Sequence, residues 1–436
     1  MIRTALIVPK GSKYGKNPYL KTFLEKNDIV SNFYGAWETP NLSLLTIAGL
    51  FDEQRYRLRF IDEDHGQPVP FEEPFDLVLV TGMTQQINRA YAICDEFRKK
   101  GVYTAIGGIH ATIYPLEALR HADTVMTGEG EDTLPRFLRD WEEGRPQRRY
   151  DAKGFVNLAA SPVPRYDLTD PSRYASYSIQ TTRGCPRTCS YCTLPVIYGS
   201  VYRHKSVEQV VREIRAIKKT DPNAFVFFAD DNMFIQKEHA KKLLEAIASE
   251  NIVWGTQTDI SVATQPDILK MLRPSGCRWL FIGFENVSRD SLQLLDENRW
   301  KAQMRSRYEE LIENIHKAGV YIWGSFLFGT DNDRPGVFED TLRFVMDNGI
   351  YSGSFTILTP LPGTALFEQM KRQGRILDED WSRYTFWDVV YRPKHMTADQ
   401  LAQGVAYVYD RFYSEENSKI RLANIRRRLR GQNKED

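Results

Sequence analysis

Cys185, Cys189 and Cys192 fall within eight residues in the run Thr182-Arg183-Gly184-Cys185-Pro186-Arg187-Thr188-Cys189-Ser190-Tyr191-Cys192, at the spacing C-x3-C-x2-C. Three thiolates in one short loop can bind three irons of a cubane. The fourth iron then lacks a protein ligand, and an open coordination position is what a metal needs to engage a substrate. Zinc is the alternative, but it needs a fourth protein ligand, and the next imidazole downstream, His204, lies outside the usual short zinc spacings. A purely structural set is less favoured still, because free thiols rarely cluster without a metal. Cys94 and Cys277 stand alone; five cysteines in 436 residues make no disulfide framework and point to a reducing compartment.

Other polar groups fall where strands should end. Asp230 and Asp231 lie in Phe228-Ala229-Asp230-Asp231-Asn232; paired carboxylates suit a cation, and the same residues also cap helices. Gln257 and Asp259 follow the next apolar run, and Glu285 and Ser288 lie in Gly283-Phe284-Glu285-Asn286-Val287-Ser288, where Ser288 can equally cap a helix. Thr359 opens the turn Thr359-Pro360-Leu361-Pro362-Gly363-Thr364. Nearer the start, Thr81, Gly82, Met83 and Thr84 follow one strand, Gly107-Gly108-Ile109-His110 a second and Gly128-Glu129-Gly130-Glu131 a third. Glycines there let a ligand approach the backbone or simply make tight turns.

These positions need a scaffold of alternating strands and helices. Ala5 to Val8, Leu58 to Ile61, Leu77 to Thr81, Tyr103 to Ile106 and Thr124 to Met126 read as strands. Helices are expected over Ala90 to Lys100 and Leu116 to His121, with Asp132-Thr133 capping another that runs to about Trp141. The fold class is therefore α/β, beginning with a doubly wound, Rossmann-like or flavodoxin-like parallel sheet over residues 1–145. Residues 146–176, with Ser161-Pro162-Val163-Pro164, read as a linker. Six further strand candidates (Ser178 to Thr182, Phe225 to Ala229, Val253 to Thr258, Trp279 to Phe284, Tyr321 to Phe328, Ser354 to Thr359) predict a partial (β/α)6 TIM-like barrel over 177–372. Ser206 and Gln209 form a capping box for a helix whose apolar face is Val207, Val210, Val211, Ile214 and Ile217. Residues 373–436 read as a helical C-terminal region in which Arg421, Arg426, Arg427, Arg428 and Arg430 form a solvated face.

Composition narrows the function classes. An apolar fraction of 42% is ordinary for a globular protein, and 58 Lys and Arg against 57 Asp and Glu produce no field that would gather nucleic acid or a membrane surface. No apolar run is long enough for a membrane span or a signal peptide, so a cytoplasmic location is expected.

With that cysteine loop, Tyr191 before its last cysteine and the strand order behind it, the chain resembles the radical S-adenosylmethionine (SAM) superfamily. The resemblance implies a 4Fe-4S cluster on Cys185, Cys189 and Cys192. It implies SAM on its open iron, with Tyr191 at adenine, Asp230 and Asp231 at the methionine amino group, and Glu285 at the ribose. Gln257, Ser288 and Thr359 complete the expected SAM set. The first domain, through Pro40-Asn41-Leu42-Ser43-Leu44-Leu45, Ile61-Asp62-Glu63, Asp76-Leu77-Val78 and the two glycine segments, resembles the cobalamin-binding domain of one branch of that superfamily. Thr81, Gly82, Met83, Thr84, Gly107, Gly108 and Gly128 would line the corrin side. One departure is plain: the first loop reads Lys10-Gly11-Ser12-Lys13-Tyr14-Gly15 and lacks the D-x-H-x-x-G histidine, while His65 follows the second strand and reads as a surface residue. The same loop is no phosphate loop, since Asn17 stands where Ser or Thr is needed.

The implied function is reductive cleavage of SAM to a 5'-deoxyadenosyl radical and modification of an unactivated carbon of a small molecule, by cobalamin-dependent methyl transfer. Cobalamin-independent hydroxylation, cyclisation or rearrangement, with the first domain as a lid, is the second reading. A non-catalytic iron-sulfur or zinc protein is the third. A one-electron donor such as flavodoxin or ferredoxin is required. Trp254, Trp323, Phe326 and Phe328 could line a pocket for a lipid, porphyrin or polyketide-like substrate, or pack the core.

Overall fold

The computed structural model describes residues 1–12, 15–26 and 38–430. Lys13 and Tyr14 of the first loop, and the end of the C-terminal region from 431, lie outside the described residues. Strands β1 (Ile2–Val8), β2 (Tyr56–Asp62), β3 (Leu77–Thr81), β4 (Tyr103–Gly107), β5 (Thr124–Thr127) and β6 (Arg149–Asp151) form a parallel sheet in the order β2-β1-β3-β4-β5-β6. The order reverses at β1, and in such sheets ligands bind beyond the carboxyl ends of the strands at that switch. The sixth strand lies in the stretch read as linker. It escaped the sequence because Tyr150 alone of its residues is buried, and it is held through the ladder and by Thr127 Oγ1 donating to Asp151 at 2.6 Å.

Helix boundaries shift where caps differ. The first predicted helix starts earlier, as Ile87–Lys99, and the second is cut to Pro115–Ala118. The third begins at Gly130, not at Asp132-Thr133, with Glu129 in the N-cap position and its carboxylate engaged elsewhere. Helix Val207–Thr220 carries the Ser206/Gln209 capping box.

The second sheet is also parallel, and its strands run in sequence order: β7 (Ser176–Ile179), then, after the short antiparallel pair β8 (Thr182–Arg183) and β9 (Arg203–His204), strands β10 (Phe225–Phe228), β11 (Val253–Thr258), β12 (Cys277–Glu285), β13 (Tyr321–Phe328) and β14 (Ser352–Ile357). This is the connectivity of a six-stranded partial barrel. Side-chain alternation sorts the large aromatics into two sets. Phe284, Phe326 and Phe355 stack with one another and against Phe344, Tyr409 and Phe412 of the surrounding helices. Trp254 packs edge-on to Phe228 with its indole N–H on Ser275 O, and Phe328 packs on Phe338. Trp254, Phe326 and Phe328 are therefore core, not pocket. Trp323 belongs to the other face, where it packs with Trp279 and Phe281; Trp279 in turn stacks on Phe225 and Phe227 and lies over Gly255, whose absent Cβ would fall 2.5 Å from the indole.

The C-terminal region is not helical from its start: 373–397 is irregular apart from the turn Trp381–Arg383, with Gly374 in the left-handed region, and helices Ala398–Phe412 and Glu415–Arg430 follow. The irregular part is a strap. Asp388 accepts from Lys16 N at 2.8 Å, Asp380 accepts from Lys16 and Asn88, and Asn17 donates to Trp387 O. Helix Pro18–Lys26 packs along Ala398–Phe412. Arg421 is buried over the Phe412 ring at 3.9 Å, contrary to the expected solvated face, and Arg428 pairs with Glu313. No helix among the described residues is long and apolar enough to cross a membrane.

Candidate active site

The cysteine loop leaves through β8 and returns through β9, with Arg183 opposite Arg203. Gly184 turns the chain out of β8 at φ +89°, where a Cβ would lie 2.2 Å from Val201 O. No other residue fits there without moving backbone. Two downstream helices then pin the loop: Cys189 bridges to Asp296 at the end of helix Arg289–Leu295, Ser190 N donates to Leu295 O at 3.0 Å, and Leu366 N, from helix Ala365–Arg372, donates to Ser190 O at 2.9 Å. Arg187 lies on the Trp300 ring at 3.7 Å and pairs with Asp259 at 2.9 Å.

All three thiols are partly exposed. Burial pushes Cys189 up to about 11 and Cys192 to about 12, and the charges of Cys189 and Cys185 add to the rise at Cys192. Iron must therefore displace protons on binding. His204, the imidazole considered for the zinc alternative, sits on β9 with Nδ1 on Lys205 O at 3.0 Å and its ring stacked on His239 at 3.9 Å.

Both aspartates brace this loop. Asp230 is fully buried and accepts from Thr181 N at 2.6 Å and Thr182 N at 2.8 Å; burial raises it to about 7. Asp231 accepts from Gly184 N at 2.8 Å, and burial raises it to about 6. Asn232, next in line, holds Asp259 at 2.8 Å. Gln257 is partly exposed on β11, level with Phe281.

Glu285 ends β12 with a left-handed backbone, φ +67°, and pairs with buried Lys301 at 2.7 Å. Lys301 also donates to Gly283 O at 3.0 Å. Burial opposes its charge, but Glu285 and the nearby Cys189 keep it protonated beyond the usual lysine range. Tyr191, partly buried against the core, lies beside Glu285, Cys189 and Cys192; burial and these groups push its hydroxyl well above the usual tyrosine range. Lys301 was missed in the sequence because it sits beyond the strand in a short helix, Trp300–Met304, with no motif to mark it.

A cavity of about 270 Å³ separates the carboxyl edge of the first sheet from the base of this loop. Thr81, Gly107, Gly108 and Gly128 line it from one side, and Gln180, Arg183, Ile197, Tyr198 and Ala229 from the other. Gly82, Met83 and Thr84 do not join it: Met83 is exposed, and Thr84 is buried 3.4 Å from His110 Nδ1. The glycines differ in kind. Gly108 (φ +97°) could not carry a Cβ without meeting Thr81 Oγ1 at 2.6 Å, whereas at Gly107 the closest atom is at 3.5 Å and φ is ordinary, so the fold itself does not require glycine there.

Two further SAM candidates make local bonds. Ser288 caps helix Arg289–Leu295 and faces a separate surface cleft with Arg305 and Asp333. Thr359 is buried with its hydroxyl on Ile357 O at 3.0 Å. His65 is not a surface residue: Nδ1 sits 2.9 Å from Asp62 and the ring packs on Tyr174 at 4.8 Å.

Residues 179–345 match the radical SAM superfamily and residues 28–138 the B12 binding domain. The chain is similar to bacteriochlorophyllide d C-12(1)-methyltransferase of Chlorobaculum tepidum, 31% identical over 377 residues, covering 85% of this chain and 81% of the relative. It is also similar to bacteriochlorophyllide d C-8(2)-methyltransferase of the same organism, 29% identical over 352 residues and 78% of each chain. Among solved structures, the cobalamin-dependent SAM radical enzyme OxsB, with aqua-cobalamin and SAM bound, shares the fold at a TM-score of 0.71 and 15% identity, covering 98% of this chain and 71% of that one. The chain belongs to the radical SAM superfamily, in the branch that carries a B12-binding domain before the barrel. It is an enzyme, which sets aside the non-catalytic reading, and its cofactors are a 4Fe-4S cluster, SAM and cobalamin.

The residues present fit these groups. Three free, partly exposed thiols carried on one pinned loop are the donor set that a cluster with one open iron would take. Gly107 leaves an unfilled place in the cavity wall that packing does not need. At the end of β1 the described part of the first loop is tied back, Lys10 N to Glu63 and Gly11 N to Asp64.

Proposed function

We propose that this enzyme methylates an unactivated carbon of a flat, largely apolar ring compound of the tetrapyrrole kind. The observation that carries the reading is the shared cavity: the corrinoid edge of the first sheet and the base of the cluster loop are opposite walls of one space. When bound, the cluster and SAM supply a radical that takes hydrogen from an unactivated carbon, and cobalamin supplies the methyl group.

The chain's own residues position and exclude. Cys185, Cys189 and Cys192 hold the cluster, and Asp230 and Asp231 hold the loop that carries them. Tyr191 at adenine and Glu285 at the ribose hydroxyls are the SAM contacts we favour; Lys301 fixes the Glu285 carboxylate. The substrate assignment draws on the bacteriochlorophyllide substrates named for the two relatives. A one-electron donor of the flavodoxin or ferredoxin type, a cytoplasmic location and no role for nucleic acid complete the proposal, in keeping with the near-zero net charge.

The test is anaerobic reconstitution with iron, sulfide and cobalamin, then dithionite, SAM and a chlorin or porphyrin panel. Expected products are 5'-deoxyadenosine, S-adenosylhomocysteine and a substrate heavier by one methylene, all absent from the Cys185→Ala, Cys189→Ala, Cys192→Ala variant. Deoxyadenosine without methylated product would favour cyclisation or rearrangement. Failure to assemble a 4Fe-4S cluster would overturn the reading.

A further inference from the structure

Glu129 lies between Gly128, which lines the cobalamin-side cavity, and Gly130, which opens helix Gly130–Glu142. Its carboxylate reaches out of the first domain and takes both base residues of the cluster loop: Arg183 Nη1 at 2.7 Å, from β8, and Arg203 Nη1 at 2.9 Å, from β9. Glu131, one helical step on, takes the other arm of Arg183 at 2.6 Å. Only 2% of the Glu129 side chain and 9% of the Arg183 side chain are exposed, so these charges are withdrawn from water and held by each other. Val156 N adds a bond to Glu129 at 2.7 Å, and Arg203 Nε and Nη2 have no partner among the described residues, which leaves Glu129 as its carboxylate. Arg183 is two residues before Cys185, and the chain between them is fixed by Gly184 N on Asp231.

We infer that Glu129 is a positioning residue that couples the two cofactor sites: its backbone borders the cobalamin cavity while its carboxylate clamps both ends of the cluster loop. Ordering of the Gly128 to Gly130 turn by a bound corrinoid orders the base of the loop, and a loop held by its cluster orders the turn. Coupling between sites is reciprocal, so each cofactor tightens the other. This goes beyond the methylation reading and needs only that both cofactors bind.

The experiment is an anaerobic absorbance titration of the full chain with aquacobalamin, in cluster-loaded and iron-depleted forms, for the parent, Glu129→Gln and Arg203→Gln. The parent is expected to bind aquacobalamin roughly tenfold tighter when the cluster is present, within the range usual for coupled sites. Both variants should retain the cluster, with the affinity ratio reduced to about one, and cobalamin should shift the reduced-cluster EPR signal in the parent alone. A merely structural role would weaken both forms equally and leave the ratio unchanged. A ratio of one in the parent, or a full ratio in the variants, overturns the inference. Should Glu129→Gln fail to take up iron, Arg203→Gln decides, because it keeps the Arg183 to Glu131 bridge.

Discussion

Replacing Lys301 by methionine removes the only cation paired with Glu285 among the described residues, in a site where both side chains are at most one-tenth exposed. Removing one partner of a buried pair costs about 3–5 kcal/mol, because the remaining charge stays buried. The lost bond to Gly283 O adds about 1 kcal/mol. Lys301→Met should thus destabilise the chain by about 5 kcal/mol, whereas Lys301→Met with Glu285→Gln removes both charges and should cost about 1–2 kcal/mol. The pH dependence follows from the raised lysine: its contribution is fully present below the usual lysine value and is lost only as pH climbs through the higher folded value. The penalty should therefore be the same at pH 7 and pH 9. Urea unfolding of the cluster-free parent, single and double variants at both pH values is the assay. A single-variant cost below about 1 kcal/mol, or a double variant no more stable than the single, would refute the reasoning.

Gly184→Ala forces a Cβ onto Val201 O in the left-handed region, so reconstituted protein should hold less than a tenth of the parent's iron, by colorimetric assay, with its far-ultraviolet dichroism unchanged. Gly107→Ala should fold normally yet weaken cobalamin binding about tenfold, while Gly108→Ala should lower the melting temperature by several degrees; dye-monitored melts and absorbance titration separate the two. Asp230 is a buried acid raised to about 7, so its own contribution to stability is lost as pH rises from about 4 to 7. Asp230→Asn should flatten that limb by up to about 4 kcal/mol, read from urea midpoints across the range; an unchanged slope would assign the titration to another group.

The strands were legible because their apolar runs are long: β3, β11 and β13 fall on the expected residues, and the cysteine spacing alone singled out the loop between β8 and β9 as the candidate cluster site. What escaped was set by partners distant in sequence. Tyr150 gives no periodic signal, Arg421 reads as one of a row of surface arginines until Phe412 covers it, and the two glutamates between the glycines look like turn residues until Arg183 and Arg203 meet them. Asp230 and Asp231 were found correctly as a strand-end pair, yet no spacing reveals that they face their own backbone. Ser288 caps its helix, one of the two roles its position offered, and the Thr359 hydroxyl bonds Ile357 O.

The strap has a consequence for biosynthesis. Asn17 and its acceptor on Trp387 are 370 residues apart, and a ribosome adding roughly 5–20 residues per second needs about 20–75 s to span that interval. The first sheet closes only when β6 has been made, at Asp151, and for the 236 residues that then remain before Trp387, about 12–47 s, it can be complete while the segment that lashes it to the barrel has yet to be made. The strap is thus among the last contacts the first domain can acquire, fastened only after both sheets have been made.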